Sequence, residues 1–574
     1  MSETYCRAEM KFIDVTAIND ATVTTRDNQQ YGDIGMFQSE TAQADYGTLE
    51  LNEFILDGSK TILPDAPGDI GFWSDAESKD DCTFDRNPKI AINFTEPHSS
   101  SGITLYFAED YPAELVITWY TIGGAKLMAE TFYPDALTYV CKKQVQNYGM
   151  LTVEFIRTRL PARYVKLQYI LYGQYIAWDR DIVQTATVQE DIDVTSATLP
   201  INTAAISILD ADNDFDAENE SGAWRSVQKT QEVVLSEYKD GALHPVGAFY
   251  IDDFSFADNI ANFTMIDAIG LTDKYTFYAG KVYDGERAGT ILAAIFAACG
   301  ITRYTVDEEV ANMQLSGYLG IQTCRAAIQQ VCFAAGAVAD DSRSDTIKIY
   351  RPDRYVSATV GTDRKFNGDT KVTLDAYVSG VSIECNKYSL EAEETEAFKG
   401  ILPSGRTTIT FSEPYSEIRA SRGTLVEVKT NYLVIDMPDS GECIITGRKY
   451  TGNAFSIQKN VENPDAGEPE NVIAYSGITL YNSEYLNTLA DKLLSYHVLR
   501  KKLDMRYLTD GEGVGDWVNI RSISGKMATT LVESQSIDLT GGYIAAAACR
   551  GYTTVLTEDI FAGTELYTGG DVII

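Results

Sequence analysis

Histidine is almost missing from this 574-residue chain, which holds only His98, His244 and His497. Three imidazoles so far apart leave little material for a histidine-based metal centre or a nucleophile–histidine pair. No HExxH, GxSxG, Walker or GxGxxG element falls in a strand–turn–helix context. The nine cysteines include no close pair with zinc-ligand spacing and are too sparse for a disulfide framework. Reduced structural thiols are expected instead. Long apolar runs are also lacking: Ile291–Cys299 and Tyr543–Cys549 fall well short of the roughly 20 residues that span a bilayer. Met1 to Glu9 carries charges and no apolar core, so no secretory signal is visible and no stable membrane insertion is expected. Positive charge is deficient as well, with 47 basic residues against 83 acidic ones and a net of −36. Such a surface repels phosphate backbones and anionic lipid, which excludes sequence-specific nucleic acid as a partner. These absences set the first expectation: no catalytic residue, no metal ligand, no cofactor, and a protein that is not an enzyme.

What is present is core-forming material. Hydrophobic residues make up 44% of the chain and charged residues 23%, which is ample for packed domains. The length exceeds one core and predicts three to five domains. Tyr (35) and Phe (22) are abundant, and short alternating runs recur between Gly, Asp and Asn turns. Leu115, Ile117 and Trp119 alternate with Val116, Thr118 and Tyr120; Leu151, Val153 and Phe155 alternate with Thr152 and Glu154; Val165, Leu167 and Tyr169 alternate with Lys166 and Gln168. Gln231–Glu237, Val381–Cys385 and Leu433–Ile435 read as further strands.

Only three segments have helical periodicity. Ile291, Leu292, Ile295, Phe296 and Cys299 share one face, with Gly300 as the stop. Cys324, Ile328, Val331, Cys332 and Ala335 share another, closed by Gly336. Cysteine on these faces acts as a small hydrophobe. Leu486, Leu489, Ala490, Leu493, Leu494 and His497 form the third stripe, followed by Arg500, Lys501 and Lys502, which suit a helix C-terminus. Helices flanking a short β stretch predict an α+β module between β domains. The patch Asn463–Asn471, with Pro464, Gly467 and Pro469 among acidic residues, reads as a linker.

The densest carboxylate cluster is Asp210, Asp212, Asp214, Asp216, Glu218 and Glu220. It imitates a calcium loop, but Phe215 stands where an EF-hand turn requires Gly, and Ser221 replaces the closing Glu. Glu391, Glu393, Glu394 and Glu396 read as a solvated acidic segment.

From Ile206 to Trp224, an aspartate-rich turn followed by Phe215 and Asn219 resembles a passage near the start of phage tail-hub and baseplate proteins. Val246–Asp253 is similar to the hub strand ending in a Gly-x-x-Tyr-Ile-Asp-type motif, and Phe263–Leu271 to the Asp-Ala-x-Gly-Leu segment after it. The helices at Ala288–Gly300 and Cys324-Arg325, the turn Asp340–Asp345 and the strand Thr346–Tyr350 resemble the hub's small α+β domain. Gly515-Asp516-Trp517-Val518 and Ile537-Asp538-Leu539-Thr540-Gly541-Gly542 resemble the closing barrel of prophage tail proteins. The order of these motifs carries more weight than any one of them. A second resemblance covers Phe72 to Gly173. Gly71-Phe72-Trp73-Ser74-Asp75, Gly102–Phe107 and Ala162-Arg163-Tyr164-Val165-Lys166-Leu167 are similar to a discoidin-like, galactose-binding-type β-sandwich.

These resemblances imply a mainly β protein with a small α+β part, in which tube-like hub β-barrels carry an inserted sandwich. The expected division is 1–71 as an N-terminal hub segment, 72–173 as the sandwich, 174–280 as a first hub barrel and 281–355 as the α+β domain. A second barrel over 356–480 and a helix plus closing β region over 481–574 complete it. The implied role is a structural virion protein at the phage tail tip or baseplate, made in the bacterial cytoplasm. It would form a homotrimer that joins tail tube protein to spike, tail-tip and baseplate proteins. The sandwich would either bind host cell-surface glycan or serve as a spacer. Trp119, Tyr120, Tyr133 and Tyr139 could stack on sugar rings, and no carbohydrate-binding residue is assigned. Two other readings stand beside this one: a carbohydrate-binding adhesin of β-sandwich modules, and a tail-associated hydrolase.

Overall fold

The computed structural model describes residues 4–29, 32–35, 46–47, 50, 61–62, 71–108, 110–211, 213–216, 218–219, 224, 227–239, 241–257, 259–366, 370–462, 467–521, 527–554, 561–562 and 565–566. The fold is mainly β with a minor helical part, as the alternating runs predict. Among the described residues no helix is long and apolar enough to cross a membrane.

One large sheet organises the molecule. It begins with Gly173–Trp178 and continues through Tyr5–Ile13, Glu232–Lys239, Ala242–Ala257, Ile260–Ile266, Thr203–Leu209 and Val183–Asp191. There it passes to the C-terminal strands Met527–Asp538, Ile544–Thr554 and Lys501–Leu508, and ends on Lys371–Leu374. The crossing point is the pairing of Val188 with Ile537. Met527–Asp538 carries a bulge after Val532; its first half pairs with Trp517–Arg521 and its second half with Val183–Asp191. The sheet curves around one core in which Met10, Val188, Ile206, Phe263, Tyr507 and Ile537 are all fully buried. Val356–Val360 and Lys371–Leu374, assigned above to a second barrel, pair instead with Trp517–Arg521 and Lys501–Leu508 of this sheet.

The segment expected to be a sandwich leaves the large sheet as an insertion with a seven-stranded sheet and a core of its own. Tyr5–Ile13 and Gly173–Trp178 are antiparallel neighbours with Ile13 opposite Gly173, and everything between them leaves the sheet. Two long bent strands, Lys89–Phe107 and Thr138–Thr158, pair along both halves and fold the sheet over its own core. Pro112–Tyr120 and Lys126–Phe132 extend one half; Lys166–Leu171 and Phe72–Trp73 extend the other. Leu115, Ile117, Trp119, Leu151, Val153 and Phe155 face inward with no exposure, as alternation requires. The insertion starts earlier than Phe72. The helix Val15–Asp20 places Ala17 in the sandwich core, and Thr22–Thr24 pairs with Lys89–Phe107. Lys166 breaks the alternation: it is buried, with its Nζ 2.7 Å from Glu50 Oε2 and lying over the Trp73 ring. A paired charge occupies a position that the pattern places outside.

The helices Ala288–Cys299 and Cys324–Ala335 form where the periodicity places them, each ending on a left-handed glycine, Gly300 (φ 70°) and Gly336 (φ 58°). They pack together in a core that includes Ile291, Ile295, Phe296, Ile328 and Val331. Beyond them the strands Gly380–Leu402 and Gly441–Asn460 make a long antiparallel ribbon. Its base, at Val381, Ile383 and Cys385, packs on the third helix, Leu486–His497. Its tip packs against a three-stranded sheet through Leu402, Ile409, Leu433 and Ile435. Part of the expected linker, 463–466, lies outside the described residues.

Candidate functional site

The three histidines stay apart and each has a local role. His98 is buried between two carboxylates, with Nδ1 3.0 Å from Asp14 Oδ2 and Nε2 3.0 Å from Asp20 Oδ2. Asp14 caps the helix Val15–Asp20, and Asp20 accepts from Thr95 N and Glu96 N, so His98 clips that helix to the bend of the long strand. Hydrogen bonds from Thr95 and His98 hold the Asp20 carboxyl well below the usual range. His497 lies 2.7 Å from Tyr475 Oη, and burial followed by the Arg550 charge disfavours its imidazolium form. His244 is exposed opposite Glu237.

The acidic turn works as a plug holder. Both carboxylate oxygens of Asp210 accept backbone hydrogens, from Asp214 N at 2.9 Å and Phe215 N at 2.8 Å. Phe215 is thereby driven into the core against Trp178 and Phe263, at ring distances of 5.7 and 5.5 Å. Asn219 Nδ2 donates to Asn213 O and receives Trp224 Nε1 at its own carbonyl, which ties the turn together. Asp212, Glu220 and Ser221 lie outside the described residues.

Two buried polar constellations, absent from the sequence reading, join distant parts of the chain. In the first, Glu190 (1% exposed) receives Arg343 Nε at 2.7 Å and Gln535 Nε2 at 2.6 Å. Burial pushes the Glu190 carboxyl up, and Arg343 and Gln535 oppose that rise. Gln535 Nε2 also donates to Glu512 O, and Glu512 binds Arg364 at 2.5 Å. The network thus links the strand Val183–Asp191, the turn after the α+β module's second helix and the closing strands. In the second, Asp267 accepts from Asn202 N and Gly270 N, while Asp341 accepts from Ala268 N, Ile269 N and Asn202 Nδ2. Two carboxyls in contact without solvent cannot both ionise cheaply. Burial and the Asp341 charge push Asp267 well up, and burial pushes Asp341 up to about 6. Asp267 sits in the Asp-Ala-x-Gly-Leu segment, so motif position is the one signal that could have found it.

A pH dependence follows. A carboxyl raised above its unfolded value binds its proton more tightly in the folded state. Its stabilisation is complete below about pH 4, the unfolded value, and is lost as pH rises through about 6. The melting difference between the wild type and Asp341→Asn is therefore expected to be largest near pH 4–5 and to shrink towards pH 7.5. A difference independent of pH would refute the shared-proton assignment.

On the sandwich, a cleft of about 680 Å³ is lined by Thr24, Arg26, Arg86, Asn87, Lys89 and Glu154, among others. Asp27 at its edge binds Arg86 and accepts from Lys89 N; Asn87 donates to Glu154 at 2.9 Å. Of the aromatics considered for sugar stacking, Trp119 is fully buried in the core, whereas Tyr133 is 63% exposed.

No protein-family model matches the sequence, and no curated protein matches it. Among solved structures, the chain is similar to a tail protein from Neisseria meningitidis, with 12% identity and a TM-score of 0.39, over 64% of this chain and 92% of that one. It is similar to the 43 kDa tail protein of prophage MuSo2 from Shewanella oneidensis, with 10% identity and a TM-score of 0.38, over 65% and 95%. A third is the prophage tail protein gp18 from Listeria monocytogenes, with 8% identity and a TM-score of 0.35, over 64% and 94%.

Proposed function

We propose that this chain is a structural protein of a phage or prophage tail, a hub that forms a homotrimeric ring at the tail tip or baseplate. The observation that carries this reading is the spatial order of the hub-like motifs. The strand bearing Ile537-Asp538 pairs with Val183–Asp191, which pairs with the strand entering the Asp210–Trp224 turn, which pairs with the strand of Phe263. Motifs scattered over hundreds of residues thus surround one core. The role is mechanical rather than catalytic: seating spike or tail-tip proteins on the tail tube and anchoring baseplate neighbours within the virion. The inserted sandwich, discoidin-like in its motifs, is the candidate for host glycan contact, supported by the polar cleft at Arg86 and Glu154.

Light scattering on the purified chain tests the ring. The expected mass is three times 63.3 kDa at moderate salt, with weaker assembly at 0.01 M salt. Each chain brings a net −36, and the screening length grows from about 8 Å at physiological salt to about 30 Å at 0.01 M. A chain that remains monomeric throughout the series favours the carbohydrate-binding adhesin.

A further inference from the structure

The ribbon of Gly380–Leu402 and Gly441–Asn460 is fastened differently at its two ends. Its base is packed: Gly380–Leu402 pairs with Val472–Tyr475, and Val381, Ile383 and Cys385 are buried against the third helix. Its far end carries a tip with an apolar core of its own, including Ile409, Leu433, Ile435 and Cys443. That core shares no residue with the one around the helices Ala288–Cys299 and Cys324–Ala335. Between base and tip, no residue of 386–396 or 448–454 is buried. Residues 391–393 bulge out of the pairing there, opposite Lys449 alone. A bulge bends its strand and interrupts the ladder.

The tip nevertheless lies against the α+β module. Between them runs a cleft of about 450 Å³, with Lys281, Glu286 and Ile291 on the module's wall and Ile418, Lys429 and Thr430 on the tip's. The charges along it are satisfied within each wall. Lys281 binds Glu286 at 3.0 Å, Lys429 binds Glu427 at 3.7 Å, and Arg448 binds Glu417 at 2.7 Å. Among the described residues no ion pair crosses the cleft.

The hydrogen bonds that do cross belong to one side chain. Asn431, fully buried in the turn 429–431, donates through Nδ2 to Gly280 O at 2.7 Å and to Leu319 O at 3.0 Å. Its Oδ1 accepts from Tyr318 Oη at 2.8 Å. Both amide hydrogens and the amide oxygen are thus used on the module. The close approach requires Gly280, because a Cβ there would stand 2.2 Å from Leu319 O and 3.0 Å from Asn431 Nδ2. Two ring contacts flank the amide, Tyr432 on Tyr278 and Tyr388 on Tyr318.

A contact of this kind is reversible. Separating two halves of an apolar core costs free energy in proportion to the area exposed, whereas water replaces each of these three hydrogen bonds when the amide leaves. We propose that the ribbon and its tip form a strap, hinged at the 391–393 bulge and closed by the Asn431 amide, that swings off the α+β module without unfolding. The closed state is specific, because a turn lacking the amide would leave Gly280 O and Leu319 O facing it with no donor from the tip. Opening exposes those carbonyls and the module's wall of the cleft. The strap does not depend on the ring reading above.

Spin-label distances in the full chain test it. Labels at Thr302→Cys on the module and Thr408→Cys on the tip occupy exposed positions. The background is Cys82→Ser, since the other cysteines are buried. Labelled chain is diluted into unlabelled protein so that only distances within one chain are read. One dominant distance is expected while Asn431 is present. Asn431→Ala is expected to raise the open-to-closed ratio at least tenfold, seen as a second, longer distance. Tyr318→Phe removes one of the three bonds from the module's side and should raise the ratio less. Amide hydrogen exchange at Leu433 and Ile435 should stay as slow as in wild type. An Asn431→Ala variant with unchanged distances overturns the strap. Fast exchange at Leu433 and Ile435 overturns it too, because Asn431 would then belong to the tip's own fold.

Discussion

Replacing Arg343 with Ala is expected to destabilise the large-sheet body by about 3–5 kcal/mol, the cost of stranding one member of a buried ion pair. Glu190, 1% exposed in the native fold on a central strand, would keep the hydrogen bond from Gln535 but lose its countercharge. For a body of this size, the loss corresponds to a fall of roughly 6–20 °C in its melting transition. The companion experiment is Glu190→Gln/Arg343→Met. Removing the charge together with its partner takes away the uncompensated ion, so the double variant should recover at least half of the loss. A single variant within about 1 kcal/mol of wild type, or a double variant worse than the single one, would show that the network does not bind the three parts of the chain together.

That network also shows where sequence reading stopped. Alternation reported local burial well: Leu115, Ile117 and Trp119 are buried as their period demands, and all three helices lie where apolar stripes place them, two of them ending on the expected glycines. Periodicity carries no information about partners, however. Val188 pairs with Ile537 across most of the chain, and Arg343 finds Glu190 only once the α+β module docks on the sheet. Lys166 reads as an outward polar residue until Glu50 is seen beside it. The acidic turn was visible as a motif, but its task, driving Phe215 into an aromatic cluster, depends on Trp178 and Phe263 from separate strands. The division between barrels slipped for the same reason. Lys371–Leu374 is a short strand whose neighbour, Lys501–Leu508, lies on the far side of an entire ribbon. The insertion boundary slipped because a six-residue helix and a three-residue strand offer too short a pattern to be assigned to the sandwich.

Excising residues 14–172 and joining Ile13 to Gly173 through an Asn-Gly turn is expected to leave the large sheet folded while abolishing the sandwich. The two ends of the insertion already meet, since Asp14 N donates to Tyr172 O at 2.9 Å. Ile13 and Gly173 are opposite one another in register, and the flanking strands are antiparallel. A two-residue turn with positive φ at both centres suits that geometry, and Asn-Gly adopts it readily. Tyr5–Ile13 keeps its other neighbour, Glu232–Lys239, so the hairpin remains anchored on the side that faces the sheet. The removed module takes its own core with it, from Ala17 to Tyr172, and is tied to the sheet by the hydrogen bonds of Thr104 with Gly173 and Tyr175. Two hydrogen bonds of that kind are together worth about 1–3 kcal/mol. Calorimetry of the full chain should show a transition that is missing from the excised protein, while the large-sheet transition shifts by only a few degrees. An excised protein that unfolds or aggregates would mean that the inserted module is part of the large sheet's own core, and the hairpin at Ile13 and Gly173 would then be a consequence of the insertion rather than the platform that carries it.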